Sequence, residues 1–353
     1  MLEREFGHEQ LKVFRDPETG VIGAIGIHST ALGPAMGGLR LFAYPGLDEA
    51  IVDVLRLSRA MSFKSAAAGL DLGGGKAVLI DDGGWDDARD ERMGAVGRTI
   101  EQLGGRYVTA EDVGTTPSDM DAIADVTRYV AGASVSRGGS GDPSPFTART
   151  VFASIEGAVG VRLGRGSLEG LRIGVQGVGN VGSALVRLLC AAGAEVSVTD
   201  RDPRRVEVLV EELGVTPLPL DGFVYGGFDV FAPCALGGAV GPREAEGMSA
   251  TIVAGAANNP LTDRDVAHRL ADRGVLYVPD FIANCGGIIH VGAEVLALSH
   301  RDVEDLLGEA GERSERILLR AHETGTRPLD VAEEYALARI DSAGDAGTRA
   351  GIG

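Results

Sequence analysis

Apolar and polar residues alternate over residues 11–15, the stretch Asp16-Pro17-Glu18-Thr19-Gly20 breaks the pattern, and alternation resumes over 21–27. Period-two runs on either side of a turn composition predict a β-hairpin. The period then changes. Leu47, Ile51, Val54, Leu55, Ser58 and Met61 recur at helical spacing, which predicts an amphipathic helix from residue 47 to about Lys64. A buried strand over 76–80, a helix over 89–103 and a strand over 106–110 follow, so this part of the chain reads as an α/β domain.

The segment Gly138-Gly139-Ser140-Gly141-Asp142-Pro143-Ser144-Pro145 carries neither period and is the densest Gly/Ser/Pro cluster in the chain, so a hinge is expected at 138–145. Beyond it, strands at 172–176 and 195–199 alternate with helices at 180–192 and 203–213, and further strands are expected near Asp229, Thr251 and Leu276. Such alternation predicts a doubly wound parallel sheet. After Ile288 only helical spacing remains, through Ala297, over 302–322 and over 329–340. Residues 344–353 read as a flexible tail.

Composition narrows the function. A length of 353 residues fits about two domains. The formal net charge of −18 repels phosphate backbones and anionic lipid, so neither nucleic acid nor membrane is an expected partner. The charged opening MLEREFGHEQ is not a signal peptide and no run reaches membrane-span length, so a cytoplasmic location is expected. Cys190, Cys234 and Cys285 lie far apart and form no CxxC pair, so no metal site or disulfide framework is expected. Of 33 basic residues only Lys12, Lys64 and Lys76 are lysines. Positions that keep an amine matter, because a desolvated amine can lose its proton near neutral pH and a guanidinium cannot.

Gly177-Val178-Gly179-Asn180-Val181-Gly182 matches G-x-G-x-x-G directly after the apolar run Ile173-Gly174-Val175-Gln176 and opens a helix. In that setting the first glycine makes the tight turn, the second admits a pyrophosphate to the backbone and the third lets the helix pack closely. Asp200 ends the next strand, 18 residues past Gly182, where a carboxylate accepts hydrogen bonds from a ribose 2′-hydroxyl and repels a 2′-phosphate. NAD is the expected cofactor. Arg201 beside it could pair with a phosphate and is a second cofactor-contacting candidate. Gly73-Gly74-Gly75-Lys76 is no P-loop, since position 70 is Leu and Ala77 stands where Ser or Thr would hold magnesium.

With the dinucleotide assigned to the second domain, the first is expected to hold the substrate across a cleft. Lys64 at a helix end, Lys76 at the start of a buried strand and Asp112 at the end of a strand are its candidate reacting groups. Around them the chain resembles the leucine, valine and phenylalanine dehydrogenases, relatives of glutamate dehydrogenase. The resemblance covers nearly the whole chain. It rests on Gly33-Pro34-Ala35-Met36-Gly37-Gly38-Leu39-Arg40, Leu70-Asp71-Leu72-Gly73-Gly74-Gly75-Lys76, Thr109-Ala110-Glu111-Asp112-Val113-Gly114-Thr115, Phe231-Ala232-Pro233-Cys234-Ala235-Leu236-Gly237, Gly255-Ala256-Ala257-Asn258-Asn259 and Asn284-Cys285-Gly286-Gly287.

What the resemblance implies is oxidative deamination of an L-amino acid to a 2-oxo acid and ammonium. Lys64 and the backbone at Gly38 would hold the α-carboxylate, with Asn258 near the nicotinamide. Lys76 would be the reactive amine that activates water, and Asp112 would shuttle protons to the departing ammonia. Arg40, Thr147, Cys234, Ala235, Ala256 and Asn284 match family positions that line the cofactor. Cys285 departs from the Ala common in relatives. In the glutamate-specific relatives a lysine stands in the place of Met36, so an apolar side chain is expected here: branched chains are favoured, with phenylalanine the alternative.

Relatives assemble through the first domain, and a homo-oligomer is expected. The expected layout is residues 1–137 for substrate binding, catalysis and oligomerisation, the hinge, 146–300 as a Rossmann-type NAD domain, 301–343 as closing helices, and the tail. A hydroxy-acid dehydrogenase would need a catalytic histidine, and neither His28 nor His290 is placed as one. A non-catalytic NAD-binding sensor is the rival from another class, and retention of both lysines and Asp112 speaks against it.

Overall fold

Asp16 accepts hydrogen bonds from the Thr19 backbone N–H (2.9 Å) and hydroxyl (2.7 Å), closing the turn that joins β1 (Gln10–Arg15) to β2 (Ile22–Ser29). The two strands pair antiparallel, as their alternation requires. This computed structural model describes residues 7–85, 87–235 and 237–350, backbone alone for 345–350, so Leu236 lies outside the described residues. After β2 come β3 (Ala35–Phe42), α1 (Leu47–Ala68), β4 (Gly73–Ile80), α2 (Arg89–Glu101), β5 (Tyr107–Glu111) and α3 (Pro117–Ala124). The strands form one sheet in the order β1-β2-β4-β3-β5, with β3 parallel to both β4 and β5. β3 carries no alternation because it lies inside the sheet between β4 and β5 and is buried on both faces over most of its length. Helix α1 runs one turn past Lys64 and stops where Gly69 takes the left-handed conformation and donates to Ala66 and Ser65 carbonyls.

The chain divides into two units. Unit 1 comprises Met1–Asp142, Ile288–Val303 and Ala336–Gly353, and unit 2 comprises Pro143–Gly287 and Glu304–Tyr335. Unit 2 contains α4 (Ser144–Leu163), β6 (Arg172–Gln176), α5 (Asn180–Ala191), β7 (Glu195–Thr199), α6 (Pro203–Leu213), β8 (Thr216–Pro217), β9 (Val230–Pro233), α7 (Pro242–Gly247), β10 (Ile252–Val253), α8 (Arg264–Asp272), β11 (Leu276–Tyr277) and α9 (Asp280–Ala283). Its six strands are all parallel, in the order β11-β10-β9-β6-β7-β8. That is the doubly wound order in which the sheet reverses beside its first strand, and the reversal opens a ligand crevice beyond the strands' carboxyl ends. The core of this sheet is Ile173, Val175, Val196, Val198 and Val230 against Leu185, Leu189 and Ile155 from the helices.

The linear boundaries expected from the sequence differ from this partition. Helix α10 (Gly286–Leu296) leaves unit 2 after Gly287, and its remainder belongs to unit 1, where Glu294 accepts the backbone N–H groups of Gly132 (2.9 Å) and Ser140 (2.7 Å). The closing region is also shared: α11 (His300–Thr324) lies mainly in unit 2, whereas α12 (Pro328–Ala350) passes into unit 1, where Arg339 donates to the carbonyl of Leu70 at 2.7 Å. The helix continues to Ala350 through most of the stretch expected to be a flexible tail. Residues 351–353 of that tail lie outside the described residues.

Candidate active site

In unit 1 the neighbouring strands β4, β3 and β5 bring Lys76, Gly38 and Asp112 together. Lys76 projects from β4 and is 4% exposed, which for a lysine demands a partner. The partner is Asp112, just beyond β5, whose Oδ2 accepts Lys76 Nζ at 2.9 Å. Burial pushes the Lys76 amine below its ordinary pKa, Arg40 adds to the depression, and Asp112 opposes it. The Asp112 carboxyl is itself disfavoured by burial, yet Lys76 and Arg40 outweigh that and hold it below the usual carboxylate range. A buried amine with a depressed pKa beside an acid held below the carboxylate range is an arrangement suited to moving protons.

Gly38 explains how they fit. A Cβ there would lie 2.7 Å from Asp112 Cβ, 2.8 Å from the Glu111 carbonyl and 3.2 Å from Lys76 Nζ. The three glycines before Lys76 serve packing of the same kind. A side chain would meet the Ser29 carbonyl at Gly73, the Ser62 backbone at Gly74, or the Tyr107 ring at Gly75, with contacts of 2.0, 2.0 and 2.6 Å. The Tyr107 hydroxyl in turn donates to the Gly37 carbonyl at 2.7 Å, fixing the strand that carries Met36 and Gly38. Met36 is buried on β3, and Lys64 is half-buried near the end of α1.

Arg40, matched to the cofactor lining by resemblance, lies in unit 1 with its guanidinium engaged by two carboxylates. Nε donates to Asp112 Oδ2 at 2.9 Å and Nη1 to Asp53 Oδ2 at 3.1 Å. Asp53 also accepts the Tyr44 hydroxyl at 2.6 Å and Arg56 at 2.8 Å. Sequence reading missed Asp53 and Tyr44, because their place depends on how α1 lies over β3 and no local motif reports it.

The second group of candidates gathers in unit 2 at the carboxyl ends of its strands. Gly177 has φ +97° and a Cβ there would lie 2.7 Å from the Ala235 N, while one on Gly182 would meet the Gly177 carbonyl at 2.0 Å. Helix α5 starts at Asn180 behind Gly179 with no side-chain cap, so the N–H groups of its first turn, which includes Val181, are open to an anion. Asp200 accepts the Val178 N–H at 2.7 Å and the Asp202 N–H at 2.9 Å, locking the end of β7 to the glycine turn. Arg201 next to it is exposed. Cys234 donates its backbone N–H to the Gln176 carbonyl at 2.7 Å, and burial pushes its thiol up to about 12, which rules it out as a thiolate nucleophile at neutral pH.

Asn284 is 2% exposed and donates to the Ala256 carbonyl and the Asn258 Oδ1, both at 3.0 Å. Its own Oδ1 is buried with no hydrogen-bond partner among the described residues. An orphaned acceptor of this kind suits a donor brought by a ligand, such as a carboxamide. Thr147 lies near Gly287, where a Cβ would come within 2.8 Å of its hydroxyl. A dinucleotide therefore fits unit 2 on three grounds: the glycine turn is stripped of side chains, the helix N-terminus is uncapped, and Asn284 carries an unused acceptor.

Family models match parts of both units. Residues 8–129 match the family model described as Glu/Leu/Phe/Val dehydrogenase, dimerisation domain, and residues 217–343 match Glutamate/Leucine/Phenylalanine/Valine dehydrogenase. Residues 172–222, the stretch from β6 to just beyond β8, match a model described as NADP oxidoreductase, coenzyme F420-dependent. The chain is 41% identical to a leucine dehydrogenase of Bacillus subtilis, over 96% of this chain and 92% of the relative. It is 41% identical to a valine dehydrogenase of Streptomyces virginiae, over 96% and 95%. Among solved structures, the L-tryptophan dehydrogenase from Nostoc punctiforme superposes with a TM-score of 0.86 at 35% identity, covering 97% of this chain and 98% of the other.

Proposed function

The chain belongs to the Glu/Leu/Phe/Val dehydrogenase family, and from that premise we propose that it catalyses the reversible, NAD-dependent oxidative deamination of an apolar L-amino acid. The products are the 2-oxo acid, ammonium, NADH and a proton. The observation that carries this reading is the Lys76–Asp112 pair, a 2.9 Å contact with the amine almost wholly buried.

NAD, when bound, accepts the hydride lost from the substrate Cα. The glycine turn at Gly177, Gly179 and Gly182 with the first residues of α5 would hold its pyrophosphate, Asp200 its ribose, and Asn284 its carboxamide. Lys64 and the backbone at Gly38 anchor the substrate α-carboxylate, and Asn258 steadies the reacting end. Lys76, as the neutral amine, takes a proton from the water that attacks the substrate iminium. Asp112 takes a proton from the substrate ammonium before the hydride is lost and returns it to the nitrogen as the C–N bond breaks, so the nitrogen leaves as ammonia and becomes ammonium in water.

Met36 at the side-chain end is apolar and 2% exposed, so a γ-carboxylate there would be buried unpaired at a cost of several kcal/mol. Glutamate is excluded on that ground, and leucine, valine and isoleucine are favoured in keeping with the leucine and valine dehydrogenase relatives. Phenylalanine is the alternative. We also infer a homo-oligomer, supported by the dimerisation description of residues 8–129, and a cytoplasmic location, in keeping with three cysteines that form no disulfide.

NADH formation with a panel of L-amino acids in alkaline buffer tests the reading. Branched-chain substrates are expected to be turned over, and Lys76→Ala is expected to abolish turnover with NAD affinity within a few fold. Silence across the panel with NAD still bound would instead support a sensor.

A further inference from the structure

Three elements place charge on Lys76: Asp112 follows β5, Arg40 sits on β3 and Asp53 on α1, while β2 sets uncharged Gly26 opposite it. Both cations bind one oxygen of Asp112, Lys76 Nζ and Arg40 Nε each at 2.9 Å from Oδ2. Among the described residues Oδ1 accepts no side-chain bond, so it is the oxygen available to a substrate. The direction of the carboxylate is thus set from the Oδ2 side, and half of that setting comes from Arg40. Arg40 is anchored in turn: its Nη1 reaches Asp53 at 3.1 Å, and Asp53 is held by Tyr44 Oη at 2.6 Å and Arg56 Nη2 at 2.8 Å.

We propose that Asp53 is a positioning residue that acts through Arg40: it anchors the guanidinium that aims Asp112 and offsets the positive charge that Lys76 would otherwise meet. The proposal rests on the reading of Lys76 and Asp112 as the proton-handling pair. Asp53 is half-buried beside Arg40, so its charge is only partly screened by water. Removing that charge leaves Asp112 alone to offset Arg40 among the carboxylates it bonds, so more positive charge faces the buried amine, which then releases its proton at lower pH. Tyr44 serves the anchor as a neutral hydroxyl, since burial and the neighbouring Asp53 raise its pKa. Tyr107, the other hydroxyl near the pair, is likewise kept neutral by burial.

The chain has only three lysines, so protein labelled with 15N-lysine gives three side-chain amine signals, which Lys76→Ala assigns. Titrated by NMR, Asp53→Asn is expected to lower the Lys76 midpoint by about half a unit to one unit. The acid limb of kcat should move with it, and Asp53→Glu should restore the limb. If Asp53→Asn fails to fold, Asp53→Ser removes the same charge in a smaller side chain and carries the same expectation. A folded charge-removing variant with an unmoved Lys76 midpoint overturns the proposal. The midpoint is read without turnover, so inactivity of the parent enzyme toward every amino acid would count against the proposed function and leave this measurement standing.

Discussion

Gly38 carries the sharpest steric prediction of the site. Replacing it by alanine adds one methyl group at a place where Asp112 Cβ is 2.7 Å away and the Glu111 carbonyl 2.8 Å. To regain the 3.4 Å of ordinary contact, Asp112 must retreat by about 0.7 Å. That shift stretches its 2.9 Å bonds to Lys76 and Arg40 towards the limit of hydrogen bonding. Loss of one charge-assisted bond is worth about 1.5–3 kcal/mol, which corresponds to a fall in kcat of roughly 10- to 100-fold. The same overpacking should lower stability by about 1–3 kcal/mol without unfolding the protein. Steady-state NADH formation from L-leucine, read beside a thermal melt, makes the comparison. A Gly38→Ala enzyme that folds and keeps kcat within twofold of the parent would show that the strand beneath the Lys76–Asp112 pair does not set its geometry.

Two further tests address the dinucleotide turn and the response to pH. Gly177→Ala forces a side chain onto φ +97° and against the Ala235 backbone at 2.7 Å, so the dissociation constant for NAD by calorimetry should rise at least about tenfold; an unchanged constant removes the turn from the cofactor site. His28, bonded to Ser62 at 2.8 Å, has its pKa lowered to about 4, mainly by burial and then by His8. Its unfolded pKa is near 6.5, so the unfolded chain binds the extra proton first and stability falls as pH drops from about 6.5 to 4. The loss is at most about 3 kcal/mol, and less once solvent screening of this half-buried ring is counted. Denaturant midpoints of parent and His28→Gln across that window should converge at low pH, and parallel curves would contradict the assignment.

How much of this could be read from the chain alone differs between the two units for a physical reason. In unit 2 the site is made by absence of side chains, and absence is written in the sequence as glycine. Gly177 and Gly182 stand where a turn and a helix contact exclude a Cβ, and in the proposed cofactor site Gly179 keeps the backbone open to the ligand. Asp200 was legible because strand length places it. In unit 1 the triplet Gly73-Gly74-Gly75 has the same appearance, yet its cause lies in Ser29, Ser62 and Tyr107, residues far along the chain that press on β4. Helix α10 shows the same limit of local pattern: its periodicity announced a helix, but not that most of it would belong to unit 1.

The scarcity of lysine gives the network a chemical logic that composition alone only suggested. In the proposed mechanism the charge at Lys76 changes during turnover, and a buried amine allows that because desolvation lowers its pKa. At Arg40 the charge must not change. Its task is to donate in two directions at once, to Asp112 and to Asp53, and a guanidinium offers fixed, divergent N–H groups with a pKa that burial does not bring near neutrality. A lysine at position 40 would provide one point of contact and a second titrating amine beside the first, so neither proton would have a defined owner. On that mechanism arginine at 40 and lysine at 76 divide the work, one holding the acid in place and the other exchanging a proton beside it.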